Sequence, residues 1–172
     1  MEERRGKMSS REKILSRLHQ NIGQKFEMPE IAIKGIQYEN PVEQFINACQ
    51  TISGAKVCFD APPSADHRGE VSTVKGEIGV AENGCIWIPQ KEDDRSFLFK
   101  SEHLIIIISR KDIVNNMHEA YAIVAERDEK GEYFKDYKFG TFISGPSKTA
   151  DIEGALVYGA QAARSVTVYI TD

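Results

Sequence analysis

The residues best equipped for chemistry lie in one short stretch, Ser144-Gly145-Pro146-Ser147-Lys148-Thr149-Ala150-Asp151-Ile152-Glu153. A strand over Thr141 to Ile143 is expected to run through the Gly-Pro turn into a helix from about Thr149 to Gly159. The first turn of a helix carries unpaired N–H groups and the positive end of the dipole. It can therefore hold a phosphate or carboxylate, with Lys148 as countercharge. A plainer role suits the same residues: Ser147 or Thr149 as the N-cap, with Asp151 and Glu153 favourable in the first turn. Those two acids would repel a bound anion unless they point away. In outline Gly140, Gly145, Lys148 and Thr149 resemble a P-loop, but there the lysine directly follows the second glycine. Here Pro146 and Ser147 intervene, and Pro146 removes one N–H from the cradle. Nucleoside triphosphate binding is not expected.

Glu82 falls at the end of an expected strand, in a turn. Open α/β sheets bind ligands at the carboxyl ends of strands, so Glu82 is either a general base or nucleophile, or an exposed turn acid. His103 precedes an aliphatic run, where a strand-edge histidine bonded to backbone is the usual case. His19, His67 and His118 are scattered without metal-ligand spacing. The three cysteines, Cys49, Cys58 and Cys85, are far apart and form no C-x-x-C pair. They build neither a disulfide framework nor a zinc or iron–sulfur site by themselves, and they suit a reducing compartment. Cys85 reads as a small buried hydrophobe, and Met117 as core.

These residues need elements to position them. Ser9 with Glu12 makes a capping box for a helix whose Ile14, Leu15, Leu18 and Ile22 share a face, closed by Gly23. Lys25 to Glu39 looks irregular. Asn40-Pro41 with Glu43 opens a second helix, with a stripe of Val42, Phe45, Ile46, Cys49 and Ile52, ended by Gly54. Lys56 to Phe59 reads as a strand and Asp60 to Glu70 as a loop. Ile78 to Ala81 and Cys85 to Ile88 flank an Asn-Gly turn signal. Leu104 to Ile108, without alternation, reads as a strand covered on both faces of a parallel sheet. Ser109 with Asp112 is expected to cap a helix lined by Ile113, Val114, Met117, Tyr121 and Val124. Glu126 to Lys138 reads as a charged excursion, and Val166 to Ile170 as a final strand. Strands alternating with helices predict a layered α/β/α sandwich with right-handed crossovers.

Composition narrows the function classes. A chain of 172 residues with 41% apolar and 28% charged residues suits one globular domain able to bury a core. The formal charge of −4 argues against nucleic acid as a partner. Basic residues cluster only near the N-terminus, interleaved with Glu2, Glu3 and Glu12. No apolar run is long enough to span a membrane, and no signal peptide is expected, so the expected location is cytoplasmic. The expected organisation is an N-terminal helix over 1–24 followed by a single α/β domain over 25–172.

The stretch from Ile143 to Glu153, continued by Leu156-Val157-Tyr158-Gly159, resembles the signature of the LUD (lactate-utilization) domain family. Val80-Ala81-Glu82-Asn83-Gly84-Cys85 is similar to that family's Ala-Glu-Thr-Gly-Thr turn, and His103-Leu104 to the opening of its aliphatic strand. The resemblance implies a Rossmann-like three-layer sandwich of the sugar-phosphate isomerase and CoA-transferase kind. It also implies a part in oxidising L-lactate to pyruvate, beside iron–sulfur partner proteins, with no cofactor bound by this chain. On that basis the expected ligand-binding set is Asn83, Gly84, His103, Ser144, Gly145, Ser147, Lys148, Thr149, Asp151 and Arg164, with Glu82 as candidate catalytic carboxylate. The sequence departs from the family at Gln161, where a histidine is usual, and at Asn83 and Cys85, which replace threonines. The alternative function is a stand-alone enzyme binding a small phosphate or CoA-ester substrate.

Overall fold

An aliphatic run sets the centre of the fold. Leu104 to Ile108 fills most of strand β5 (His103–Ser109) in the computed structural model. The structure describes residues 9–21, 23, 27, 34–59, 71–90, 96–130, 139–151 and 154–172. Outside these fall Ile22, the 60–70 loop, most of the 126–138 excursion, much of the irregular 25–39 segment, and Ile152 and Glu153. The chain divides into two compact units, residues 1–33 and 34–172.

In the first unit, helix α1 (Ser10–Gln20) begins as its sequence predicts. The Ser9 hydroxyl accepts from Glu12 N–H, and the Glu12 carboxylate accepts from Ser9 N–H at 2.7 Å. Its Ile14, Leu15 and Leu18 are exposed.

The second unit is built on two sheets. The first is wholly parallel, in the order β1-β10-β5-β2, with β1 at Lys56–Cys58, β2 at Val71–Lys75 and β10 at Ser165–Thr171. The second is mixed, in the order β6-β3-β4-β7, with β3 at Ile78–Val80, β4 at Ile86–Pro89, β6 at Ile113–Val114 and β7 at Gly140–Ile143. Side chains alternate across a strand, and that alternation assembles the layers. From β4, Ile86 and Ile88 join Leu104, Ile106, Ile108, Val166, Val168 and Ile170 of the parallel sheet in one core. From the opposite face, Trp87 joins Ile78 and Val80 against Ala120 and Val124 of helix α4 (Met117–Glu129). Helix α2 (Pro41–Ala48) adds Phe45 to the larger core, and the one-turn helix α3 (Phe97–Lys100) adds Leu98. Ile105 and Tyr169, on the outer face of the parallel sheet, are buried as well.

The chain passes from one sheet to the other at Gly76. Its N–H still donates to Ile107 O of the parallel sheet at 2.8 Å, and the next N–H, of Glu77, donates to Trp87 O of the mixed sheet. A Cβ at Gly76 would lie 2.3 Å from Ile86 Cγ2, so only glycine lets the sheets approach this closely.

The α/β class read from sequence is the class observed. Three local expectations change. Among the described residues of 149–159 no helix forms: β8 (Lys148–Thr149) and β9 (Val157–Tyr158) pair as an antiparallel ribbon, and Gly154 between them has φ of 71°. Val-Tyr favours pleated backbone, and a left-handed glycine interrupts a helix. The helix expected after Ser109 starts later. Arg110–Asp112 form a 3-10 turn, Ile113 and Val114 are drawn into the mixed sheet as β6, and Asn116 caps α4 by accepting from Glu119 N–H. Strand β2, absent from the sequence reading, forms because its polar Val-Ser-Thr-Val-Lys sequence sits at a sheet edge with a single neighbour.

Candidate functional site

Three segments meet where α2 ends. After Ala48 the helix widens into one π-helical turn, Cys49–Ser53, and stops at Gly54 with φ of 75°. Against it pack the β3–β4 turn and the loop after β7. The Ser144 hydroxyl lies 2.8 Å from that of Ser53, and both reach Asn83 O at 3.3 Å. Cys49 Sγ approaches Gly84 O at 3.8 Å, and Asn83 Oδ1 accepts from Cys85 N–H at 3.0 Å. Gly84 (φ 70°) and Gly145 (φ 69°) make the approach possible. A Cβ on Gly84 would stand 2.9 Å from Cys49 N, and one on Gly145 2.3 Å from Ser53 O.

Lys148 completes this knot. Its ammonium donates to Ser53 O and, at 3.5 Å, to Ile52 O. Those are carbonyls left unpaired at a helix C-terminus, where a cation also favours the dipole. Lys148 is therefore a C-cap for α2, not the countercharge of an anion cradle at a helix N-terminus. Among the described residues no helix starts beside it.

Glu82 is likewise occupied. Its Oε2 accepts from Met117 N–H at 3.1 Å, satisfying a first-turn donor of α4, while its own N–H donates to Asn115 O. Burial raises the Cys85 thiol pKa, a hydrogen bond from Ser144 lowers it, and the nearby Glu82 charge raises it; the net shift is upward. Burial, with Cys85 close by, pushes Cys49 up to about 12. Neither thiol has the depressed pKa of a nucleophile.

A cavity of about 370 Å³ lies beneath the loop after β7. Ser144, Gly145, Ser147 and Lys148 line it, over a floor that includes Leu98, Leu104 and Val166. An adjoining groove of about 460 Å³ is lined by Lys100, Glu102, Tyr158 and Arg164, and shares Phe99, Gln161 and Ala162 with the cavity. The expected site residues therefore separate. Four line the cavity and Arg164 the groove, where its guanidinium stands 3.8 Å from the Glu102 carboxylate. Asn83 and Gly84 belong to the knot. His103 opens β5, its Nδ1 2.6 Å from Ser165 Oγ. Thr149 Oγ1, at the end of β8, accepts from Asp151 N–H at 3.3 Å, outside the cavity lining. Glu82, His103, Ser147 and Arg164 do not converge on one cleft. Sequence reading missed Ser53, whose only signal was its place before the helix-ending Gly54.

The LUD domain family model matches residues 71–171, which hold β2 to β10 and every expected site residue. The chain belongs to the LUD domain family. Lactate utilization protein C of Geobacillus thermodenitrificans is 31% identical to it over 110 residues, which is 63% of this chain and 45% of that protein. The protein of the same name from Geobacillus kaustophilus is 30% identical over the same shares. The match thus spans less than half the length of these curated relatives. A solved DUF162 family protein from Deinococcus radiodurans superposes with a TM-score of 0.54 at 12% identity, covering 80% of this chain and all of that one. That likeness supports the α/β fold of this LUD domain. Among the described residues no helix is long and apolar enough to cross a membrane, and no three His, Cys, Asp or Glu side chains cluster as a metal site.

Proposed function

We propose that this LUD domain is a cluster-free component of a system that oxidises L-lactate to pyruvate in the cytoplasm. It acts beside iron–sulfur subunits that carry the electron transfer. One observation supports this above others: the likeness, at 31% identity over 110 residues, to proteins named lactate utilization protein C. The local chemistry agrees with a non-redox part. Glu82 and Lys148 are committed to helix ends, and Cys49 and Cys85 hold their protons. A stand-alone enzyme using Glu82 as its catalytic carboxylate would need that side chain released from the Met117 N–H it binds.

Deleting the gene in its own host and supplying L-lactate as sole carbon source tests the proposal. Growth should fail, return with the intact gene, and be unaffected on pyruvate. Affinity purification of the tagged chain from lactate-grown cells should bring down proteins with iron–sulfur absorbance. Unimpaired growth of the deletion strain on L-lactate would sink the idea.

A further inference from the structure

We propose that the cavity beneath the Ser144–Lys148 loop binds an amphipathic organic anion: a flat or branched apolar body bearing one acid group of carboxylate or sulfonate type. This goes beyond a role in lactate oxidation and does not rest on it.

Size and lining decide the apolar part. A volume of about 370 Å³ falls within the range of small-molecule sites, roughly 300–1,000 Å³. A three-carbon acid would leave most of it empty. The floor is made by Leu98, Leu104 and Val166, which belong to the main core, with Phe142 and Ile143 beside them. Apolar surface of this kind gains about 25 cal/mol per Å² when a ligand replaces water on it. Phe99, 44% exposed, stands between cavity and groove, and Tyr158, 47% exposed, lines the groove. Their rings offer faces on which a planar group can stack.

Charge decides the acid part. Among the described residues no carboxylate lines the cavity, and its one charged side chain is Lys148. An ammonium has three donors, and Ile52 O and Ser53 O take two of them. The third remains for a ligand, so the helix cap and the binding contact are compatible. The Ser147 hydroxyl and the Gln161 amide also line the cavity and make no hydrogen bond among the described residues. In the adjoining groove the Arg164 guanidinium stands 3.8 Å from Glu102. The cavity thus sets side-chain donors and one cation, with no carboxylate among the described residues, over an apolar floor. A neutral lipid-like molecule would leave the donors unused, and a cation would meet the wrong charge.

Fluorescence titration with 8-anilino-1-naphthalenesulfonate, an aromatic sulfonate, and with neutral N-phenyl-1-naphthylamine tests this on the full chain. The sulfonate should bind saturably at one site. Ala162→Trp, placed where cavity and groove meet, should weaken both probes by about tenfold or more. Gln161→Glu should weaken the sulfonate at least about fivefold, the effect of one like charge near contact, and leave the neutral amine unchanged. Unchanged circular dichroism and thermal midpoint confirm that each variant folds. If Ala162→Trp does not fold, exposed Gln161→Glu carries the test alone. Failure of the native chain to bind the sulfonate saturably, or binding indifferent to both substitutions, overturns the site. Equal loss of both probes in Gln161→Glu overturns the anion assignment.

Discussion

Gly145 and Lys148 approach the same backbone carbonyl, that of Ser53, from the two ends of one loop. Gly145→Ala would combine a left-handed φ with a Cβ only 2.3 Å from that oxygen. The strain and the overlap together should cost about 2–4 kcal/mol in urea unfolding. Lys148→Met keeps most of the side-chain volume and removes only the cap, so a loss of about 1 kcal/mol is expected. Cys49, fully buried, should resist iodoacetamide at pH 8 in the native protein while half-buried Cys58 reacts. Its raised pKa has a consequence for alkaline stability. The unfolded thiol ionises near 9.0 and the folded one near 12, so stability is intact below 9.0 and falls as pH rises between these values. The slope from this group is about 1.4 kcal/mol per pH unit. Cys49→Ala should be less stable overall yet show a flatter alkaline limb in pH-dependent unfolding.

At the scale of elements, the start of α4 is where sequence and structure part most instructively. Ser109 with Asp112 has the spacing of a helix start, and Ser109 does accept from Lys111 N–H, but only for one 3-10 turn. Pairing with Gly79 and Val80 then draws Ile113 and Val114 into the mixed sheet, and the helix waits for Asn116. Asn116 is buried; it caps Glu119 N–H and donates to Ile36 O. Asn116→Ala should therefore cost about 2 kcal/mol, measured by denaturant unfolding, because a cap and a buried bond are lost together. Burial alone would raise the pKa of Glu119. Hydrogen bonds from Gln37, Asn115 and Asn116 outweigh it and hold the carboxyl below its ordinary value. That contribution is present above pH 4.5 and is lost as pH falls through the depressed folded value. Glu119→Gln should shrink the acid-induced loss of stability below pH 4.5. The α1 and α2 starts and the Gly54 stop were legible because caps and a left-handed glycine are local, whereas the Lys148 cap on that stop comes from about a hundred residues away.

Across the whole second unit, Gly79 marks why the two sheets should behave as one. A Cβ there would stand 3.0 Å from Ile108 of the parallel sheet and 3.2 Å from both Ile113 of the mixed sheet and Phe45 of α2. Trp87, the single tryptophan, reports on the smaller core behind the mixed sheet. Its fluorescence and the far-ultraviolet circular dichroism should therefore show coincident urea transitions, and separated midpoints would refute a shared unfolding unit. By itself the sequence determined the α/β class, the aliphatic central strand, the capped helix starts and the family signature. Each of these rests on periodicity, caps or a contiguous motif, which neighbouring residues specify. Only the tertiary structure decided that the strands divide between two sheets, that Lys148–Thr149 pairs with Val157–Tyr158, and that Lys148 and Glu82 hold helix ends. Edge pairing, a carbonyl left unpaired by a distant helix, and room for a cavity are properties of neighbours in space. The Ser144–Lys148 loop shows both sides: its residues can be read in order, but what each touches depends on where α2 ends.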